Sequence, residues 1–280
     1  MCLLPPLYRL GLLAAVLLAW SGCATACDDA SAAFTVKQRS FESSRVRILV
    51  DVYTPVDASL REARLSAPLR QSGSRNSRAS QSEASTAPPV LVLHGAGGML
   101  FDGPEMTRVA ERLAIAGFEV YQIHYFDRTH TWFARQAVLL KLFPTWLATV
   151  HDAVDWVHTQ RPEAPKIGIF GYSLGAFAAI ETARRDPRIG AVVAEAGGFW
   201  HGHPEGPTRQ PLPPMLVLHG TADSRVPNEK YTQPLLAYLR AHGDPFEKRF
   251  YPGEGHVFST ETAAKVREEA AAFFTRHLRH

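Results

Sequence analysis

Lys166-Ile167-Gly168-Ile169-Phe170-Gly171-Tyr172-Ser173-Leu174-Gly175-Ala176 reads as a strand, a tight turn and the start of a helix. Its first five residues are mostly apolar and β-branched or aromatic, and read as a buried strand. From Ala176 to Arg184 the chain is alanine-rich and reads as a helix. Between them lies the pentapeptide Gly171-Tyr172-Ser173-Leu174-Gly175, a G-x-S-x-G sequence. A strand that turns straight into a helix forces a strained backbone on the serine, and a glycine two residues to either side makes room for it. The hydroxyl then stands above the sheet edge, with the helix N-terminus beneath any negative charge that develops there. The pentapeptide alone is a weak signal; the strand and helix that flank it give it weight.

A serine hydroxyl is a poor nucleophile at neutral pH and needs a base, itself oriented by a carboxylate. Downstream, Pro214 to Leu218 reads as a strand that runs into His219-Gly220-Thr221-Ala222-Asp223. A further strand ends at Phe250-Tyr251 and leads into Pro252-Gly253-Glu254-Gly255-His256. Ser173, Asp223 and His256 thus follow the chain order serine, acid, histidine, each just past a strand. In open parallel sheets, catalytic groups gather at the C-terminal strand ends. Glu195 also ends a strand and is the alternative acid, but lacks the turn context of Asp223. Upstream, Pro89 to Leu93 reads as a buried strand followed by His94-Gly95-Ala96-Gly97-Gly98. Small residues there let backbone N–H groups approach a substrate oxygen, so the N–H groups of Ala96 and Leu174 are the candidate oxyanion donors. No G-K-[ST] follows the glycines, and no G-x-G-x-x-G stands in frame, which argues against a nucleotide loop.

The segments LVLHGAGG (91–98), GYSLGA (171–176), VLHGTADSRVP (217–227) and GEGHVF (253–258) resemble the α/β-hydrolase superfamily and, within it, the dienelactone hydrolase family. HYFDR (124–128) and FPTWLATVHDAVDWV (143–157) add to the likeness, which spans about residue 45 to the C-terminus. The resemblance implies a serine hydrolase with the triad Ser173, Asp223 and His256 and no cofactor. One departure matters. Dienelactone hydrolases proper use a cysteine nucleophile, whereas no cysteine follows Cys27 here. That moves the expectation from a dienelactone to a general carboxylic ester. One fold hosts many chemistries, so the substrate does not follow from the family.

The 280 residues suit one α/β domain with extras, and 46% hydrophobic content suffices for a sizeable core. A net charge of +3 and the lack of a basic, aromatic-interleaved helix argue against a nucleic-acid partner. Residues 1–27 read as an export segment. Arg9 precedes the apolar run Leu10–Trp20, which is short for a membrane span. Ser21-Gly22-Cys23 resembles a lipobox, with Cys23 as the lipidated residue, although Trp20 stands where an aliphatic residue is usual. Ala24-Thr25-Ala26 is a competing cleavage site before Cys27, and an uncleaved anchor is a third reading. The expected location is therefore periplasmic or membrane-anchored, with a secreted soluble form as the alternative.

Residues 28–280 read as the hydrolase domain. Ala33–Val36 and Arg45–Tyr53 are expected as two leading antiparallel strands. Residues 57–88 form a Ser/Arg-rich insertion with no apolar period, expected to be disordered or weakly helical. Beyond it, helices are expected over Glu105–Ala116, Pro144–Gln160, Asn228–His242 and Thr260–Leu278, alternating with strands at Phe118–Ile123 and Ile189–Ala194. That alternation means a mostly parallel sheet covered on both faces. Tyr125, Phe199 and Trp200 follow strands and are expected to shape the substrate pocket, with core packing as their other reading. Phe126, Trp132 and Phe133 lie in the same rim segment as Tyr125. Tyr172 is expected to pack under the turn. His151, Asp155 and His158 share a helix face, and His201 and His203 flank a glycine. Neither set completes a metal constellation, so no metal is expected. Two rivals to the esterase remain: an exopeptidase or amidase on the same scaffold, and a non-catalytic, membrane-anchored binding protein.

Overall fold

In the computed structural model the described residues are 33–56, 87–204, 206, 208 and 211–279. The N-terminal segment read above as an export signal, with Cys23, and nearly all of the 57–88 insertion lie outside them. Among the described residues one eight-stranded sheet is built from β1 (Phe34–Ser43), β2 (Val46–Pro55), β3 (Pro89–Leu93), β4 (Glu119–Ile123), β5 (Ile167–Tyr172), β6 (Ile189–Glu195), β7 (Met215–Gly220) and β8 (Phe246–Tyr251). Its order is β1-β2-β4-β3-β5-β6-β7-β8. β1 and β2 pair antiparallel, β2 joins β4 antiparallel, and the six strands from β4 to β8 run parallel.

The helices are α1 (Gly98–Phe101), α2 (Gly103–Ile115), α3 (Gln136–Gln160), α4 (Leu174–Ala183), α5 (Asn228–His242) and α6 (Thr260–Leu278), with a short 3₁₀ turn at Tyr125–Thr129. Strand periodicity explains how they divide. In β3, Leu91 and Leu93 join the core under α3, α4 and α5, while Val90 and Val92 join the core under α2 and α6. β6 repeats the pattern, with Val192 and Ala194 on the first face and Ala191 and Val193 on the second. A strand buried on both faces reads as a continuous apolar run, which is why these strands stand out in the sequence. All ten residues of α4 are buried, and the one carboxylate among them, Glu181, pairs with Arg184 at 2.6 Å and Arg185 at 2.8 Å. A buried charge is tolerated there because it is paired.

Topology fixes where a site can form. The chain leaves β3 for β4 on one side, then returns to lay β5 on the other. The crevice outside the C-terminal ends of β3 and β5 is therefore the switch point at which open α/β sheets bind ligands.

Two elements differ from the sequence reading. β1 runs through Ser43, well beyond Val36, because it forms a ten-residue hairpin with β2 around Ser44 and Arg45, both at positive φ. Its residues Thr35 to Arg39 are exposed and mostly polar, so no apolar alternation marks it. α3 begins at Gln136, not at Pro144, which lies inside the helix. Pro144 lies on the exposed side of α3, where solvent can take the carbonyl that its missing N–H leaves free.

Candidate active site

Ser173 is the N-cap of α4, at φ 53° and ψ −116°. Few non-glycine residues occupy this region, and the surroundings hold it there. Its N–H donates to Glu195 O at 2.8 Å, and its carbonyl accepts from Ala176 N at 2.9 Å. A Cβ on Gly175 would collide with the backbone carbonyl of Leu93, and one on Gly171 with the backbone of Gly175. The two glycines of the pentapeptide are thus required by close backbone packing of α4 on β3 and β5.

The structure brings Ser173, His256 and Asp223 together. His256 Nε2 lies 2.9 Å from Ser173 Oγ, and His256 Nδ1 lies 2.8 Å from Asp223 Oδ2. With Asp223 ionised, Nδ1–H donates to the carboxylate and Nε2 accepts from the serine hydroxyl. The other oxygen, Asp223 Oδ1, accepts from the N–H groups of Arg225 and Val226, both at 2.9 Å. Burial works against the Asp223 charge. The His256 and Val226 hydrogen bonds and the two nearby imidazoles outweigh it and hold the carboxyl below its usual pKa. One of those imidazoles is His219, fully buried with its Nε2 3.4 Å from Asp223 Oδ2 and 3.0 Å from Val226 O. Its Nδ1 meets Thr232 Oγ1 at 2.9 Å, which ties the acid turn to α5. Burial lowers the His219 pKa, so it stays neutral and donates to the Val226 carbonyl.

The candidate oxyanion donors sit beside the serine. Leu174 opens α4, so its N–H has no acceptor four residues back. Ala96 and Leu174 both line the cavity that contains Ser173. The Ala96 loop is tied on both sides. Ala96 O accepts from Ala134 N at 2.7 Å, and Gly97 N–H donates to Asp102 Oδ2 at 2.9 Å. A Cβ on Gly95 would lie 2.7 Å from that same oxygen and 3.0 Å from Ser173 Cβ, so only the glycine backbone separates Asp102 from the nucleophile position.

The cavity measures about 1180 Å³ and straddles the two faces of the sheet. Phe133, Leu139, Phe177, Trp200 and Tyr231 give it an apolar wall toward α3, α4 and α5. Tyr172, Glu195, Asp102, Glu105 and Arg267 give it a polar wall toward α2 and α6. Tyr172 donates to His256 O at 3.1 Å and packs near the imidazole, with ring centroids 5.4 Å apart. Trp200 lines the cavity. Tyr125 and Phe199 do not: both are fully buried. Tyr125 donates to His94 O at 2.6 Å behind the Ala96 loop, and Phe199 packs on Tyr238. A position after a strand does not tell which way an aromatic turns.

Glu195 opposes Tyr172 on the neighbouring strand but makes no hydrogen bond to His256, whereas Asp223 does. The Glu195 carboxyl faces the cavity, and burial, with Glu105 and Asp102 nearby, raises its pKa to about 8 against the pull of Arg267. Asp102 is raised by burial as well, with the Gly97 N–H opposing. Neither Asp102 nor the Glu105–Arg267 ion pair was legible beforehand, since no spacing ties α1 and α2 to α6.

A family model described as the dienelactone hydrolase family matches residues 76–277. The chain belongs to the dienelactone hydrolase family. Among solved structures, this dienelactone hydrolase family member is similar to dienelactone hydrolase from Anabaena variabilis ATCC 29413, at 18% identity and TM-score 0.60, covering 88% of this chain and 99% of that one. It is also similar to the Pyrococcus furiosus esterase Pf2001, at 16% identity and TM-score 0.62, covering 94% and 98%. Acylaminoacyl peptidase of Pyrococcus horikoshii matches at 14% identity and TM-score 0.62, covering 88% of this chain and 42% of that one. A search of the curated proteins found no match. At these identities the likenesses establish a common α/β-hydrolase fold, and the family model adds that the protein belongs to a family of hydrolases.

The two carboxyls separate in a single comparison. Asp223→Asn lowers turnover by about 10⁴-fold through a mis-set imidazole tautomer, whereas Glu195→Gln leaves most of it. Initial rates on folded variants check this, and the reverse ranking moves the acid role to Glu195. Stability against pH provides a second readout. A carboxyl raised to about 8 holds its proton in the folded chain while the unfolded chain has lost it. Glu195 therefore costs stability progressively as pH rises from the ordinary glutamate range toward 8. Melting temperatures of Glu195→Gln should fall less than those of the unaltered protein between pH 5 and pH 8.

Proposed function

We propose that the protein is an exported serine hydrolase that cleaves carboxylic esters through an acyl-enzyme. One observation carries this reading: the unbroken hydrogen-bonded chain Ser173–His256–Asp223, with Ser173 lining a large cavity that has an apolar wall. Ser173 Oγ attacks the ester carbonyl carbon as its proton passes to His256 Nε2, and Asp223 stabilises the imidazolium. The tetrahedral oxyanion is held by the N–H groups of Leu174 and Ala96. Collapse breaks the carbon–oxygen bond, and His256 returns the proton to the departing alcohol. A water molecule repeats the sequence and frees the acid. All groups are supplied by the chain, and no cofactor takes part. The apolar wall with Phe177 and Trp200 suits the acyl group. The leaving alcohol meets His256, whose ring packs near Tyr172.

Purified protein with matched chromogenic esters and anilides of increasing acyl length tests the reading. Esters turn over, a fluorophosphonate labels Ser173, and Ser173→Ala loses several orders of magnitude in rate. A folded Ser173→Ala protein that keeps more than roughly a tenth of the rate contradicts the nucleophile assignment. Faster turnover of the anilides moves the activity to the amidase class, and absence of labelling favours a binding protein.

Export is supported by Arg9 and the apolar run Leu10–Trp20, and lipid attachment by Ser21-Gly22-Cys23. An intact-mass spectrum of the exported protein should show an acylated chain beginning at Cys23, absent in Cys23→Ser. An unmodified chain beginning at Cys27 rules out the lipid.

A further inference from the structure

Of the eight large apolar side chains most exposed among the described residues, four line the cavity that contains Ser173: Phe101, Phe133, Leu140 and Val257. Two more, Leu100 and Trp132, flank Phe101 and Phe133 in the chain, and Trp132 is 75% exposed. Direct contacts join Phe101, Phe133 and the Trp132 backbone, and Leu140 and Val257 border the same cavity. Phe101 meets Phe133 edge-on, with ring centroids 5.7 Å apart. The backbone carbonyl of Trp132 packs so closely on Gly98 that no Cβ fits between them. The Ala134 N–H to Ala96 O bond pins the same loop to the turn that precedes α1. Scattered exposed apolar residues need no explanation, but a cluster at the rim of one cavity marks an interaction surface.

The charges around this surface are mainly positive. Arg108, Arg225 and Lys230 line the cavity and are exposed. The Arg135 guanidinium lies over Phe133, 5.8 Å from the ring centroid, and exposed Lys141 follows Leu140 on α3. Carboxylates are present too: Asp102 and Glu195 line the cavity, Glu105 is engaged by Arg108 at 3.1 Å and by Arg267, Glu261 by Lys265 at 2.8 Å, Glu254 accepts from Ser259 and Thr262, and Glu229 adjoins Lys230. Apolar side chains that project between arginines and lysines match a surface with a negative headgroup layer over an acyl layer.

We infer that the rim formed by Leu100, Phe101, Trp132, Phe133, Leu140 and Val257 docks on anionic lipid, and that the ester reaches Ser173 from that surface. The substrate class is then an amphiphilic, long-chain ester. This inference rests on the ester-hydrolase reading.

The test uses the full chain carrying Cys23→Ser, so that no attached lipid contributes, with and without Leu100→Ser and Trp132→Ser. Neither of these two residues lines the cavity. Flotation with vesicles of phosphatidylcholine, alone or mixed with phosphatidylglycerol, reads docking without turnover. Rates on a long-chain ester within those vesicles and on a water-soluble short-chain ester read its consequence. The expected result is stronger flotation with the anionic vesicles, and roughly tenfold or greater loss of flotation and vesicle-ester rate in the double variant. Its soluble-ester rate stays unchanged. Equal flotation of the two proteins overturns the docking surface. So does a dimer in sedimentation velocity that the double variant dissociates, which assigns the rim to a second copy. If neither folded protein hydrolyses the soluble ester, the ester reading fails, and the flotation comparison still decides docking.

Discussion

A serine held at φ 53° between the end of β5 and the start of α4 sets the geometry around it. Such a conformation costs roughly 1–3 kcal/mol and persists only where the surroundings over-determine it. Here the Ser173 N–H is fixed to Glu195 O on β6, and its carbonyl caps the first turn of α4. Glycines at 171 and 175 let the helix sit directly on the strands. The buried alanine face of α4 exists to permit that approach. The hydroxyl, the unpartnered first N–H of the helix and the switch-point crevice then coincide at one place.

The polar groups around the serine are arranged by unequal environments. Asp223 is buried yet ionised, because two backbone N–H groups and His256 supply what water would have supplied. Glu195, one strand away, lacks such donors and holds its proton up to about pH 8. Two carboxyls at neighbouring strand ends are thereby held in opposite protonation states, one fit to orient an imidazole and the other facing the cavity as a neutral acid. Asp102 shapes the Ala96 loop through Gly97, and Ala134 fixes it from the other side.

Much of this was legible in the sequence where a residue's chemistry is set by its immediate neighbours. The strand and turn around Ser173, the strand ends before Asp223 and His256, and the helices at 228–242 and 260–278 depend on local patterns. Legibility stopped where the third dimension decides. β1 is long because it pairs with β2 across a two-residue turn, not because its own exposed residues favour it. Pro144 marks a helix start by propensity but sits inside α3 on its exposed side. Tyr125 and Phe199 follow strands as Trp200 does, yet turn into the core. Asp102 and Arg267 meet the cavity from α1–α2 and α6, which no sequence spacing connects.

In the proposed mechanism Ser173 carries the acyl group during turnover. Rapid quenching of the enzyme with a slowly deacylating ester, followed by intact-mass and peptide analysis, tests it most directly. One added acyl mass is expected on the peptide containing Gly171-Tyr172-Ser173-Leu174-Gly175, formed in a burst and lost in Ser173→Ala. Steady ester turnover with no acylated intermediate, or with the acyl group on a different residue, would contradict it.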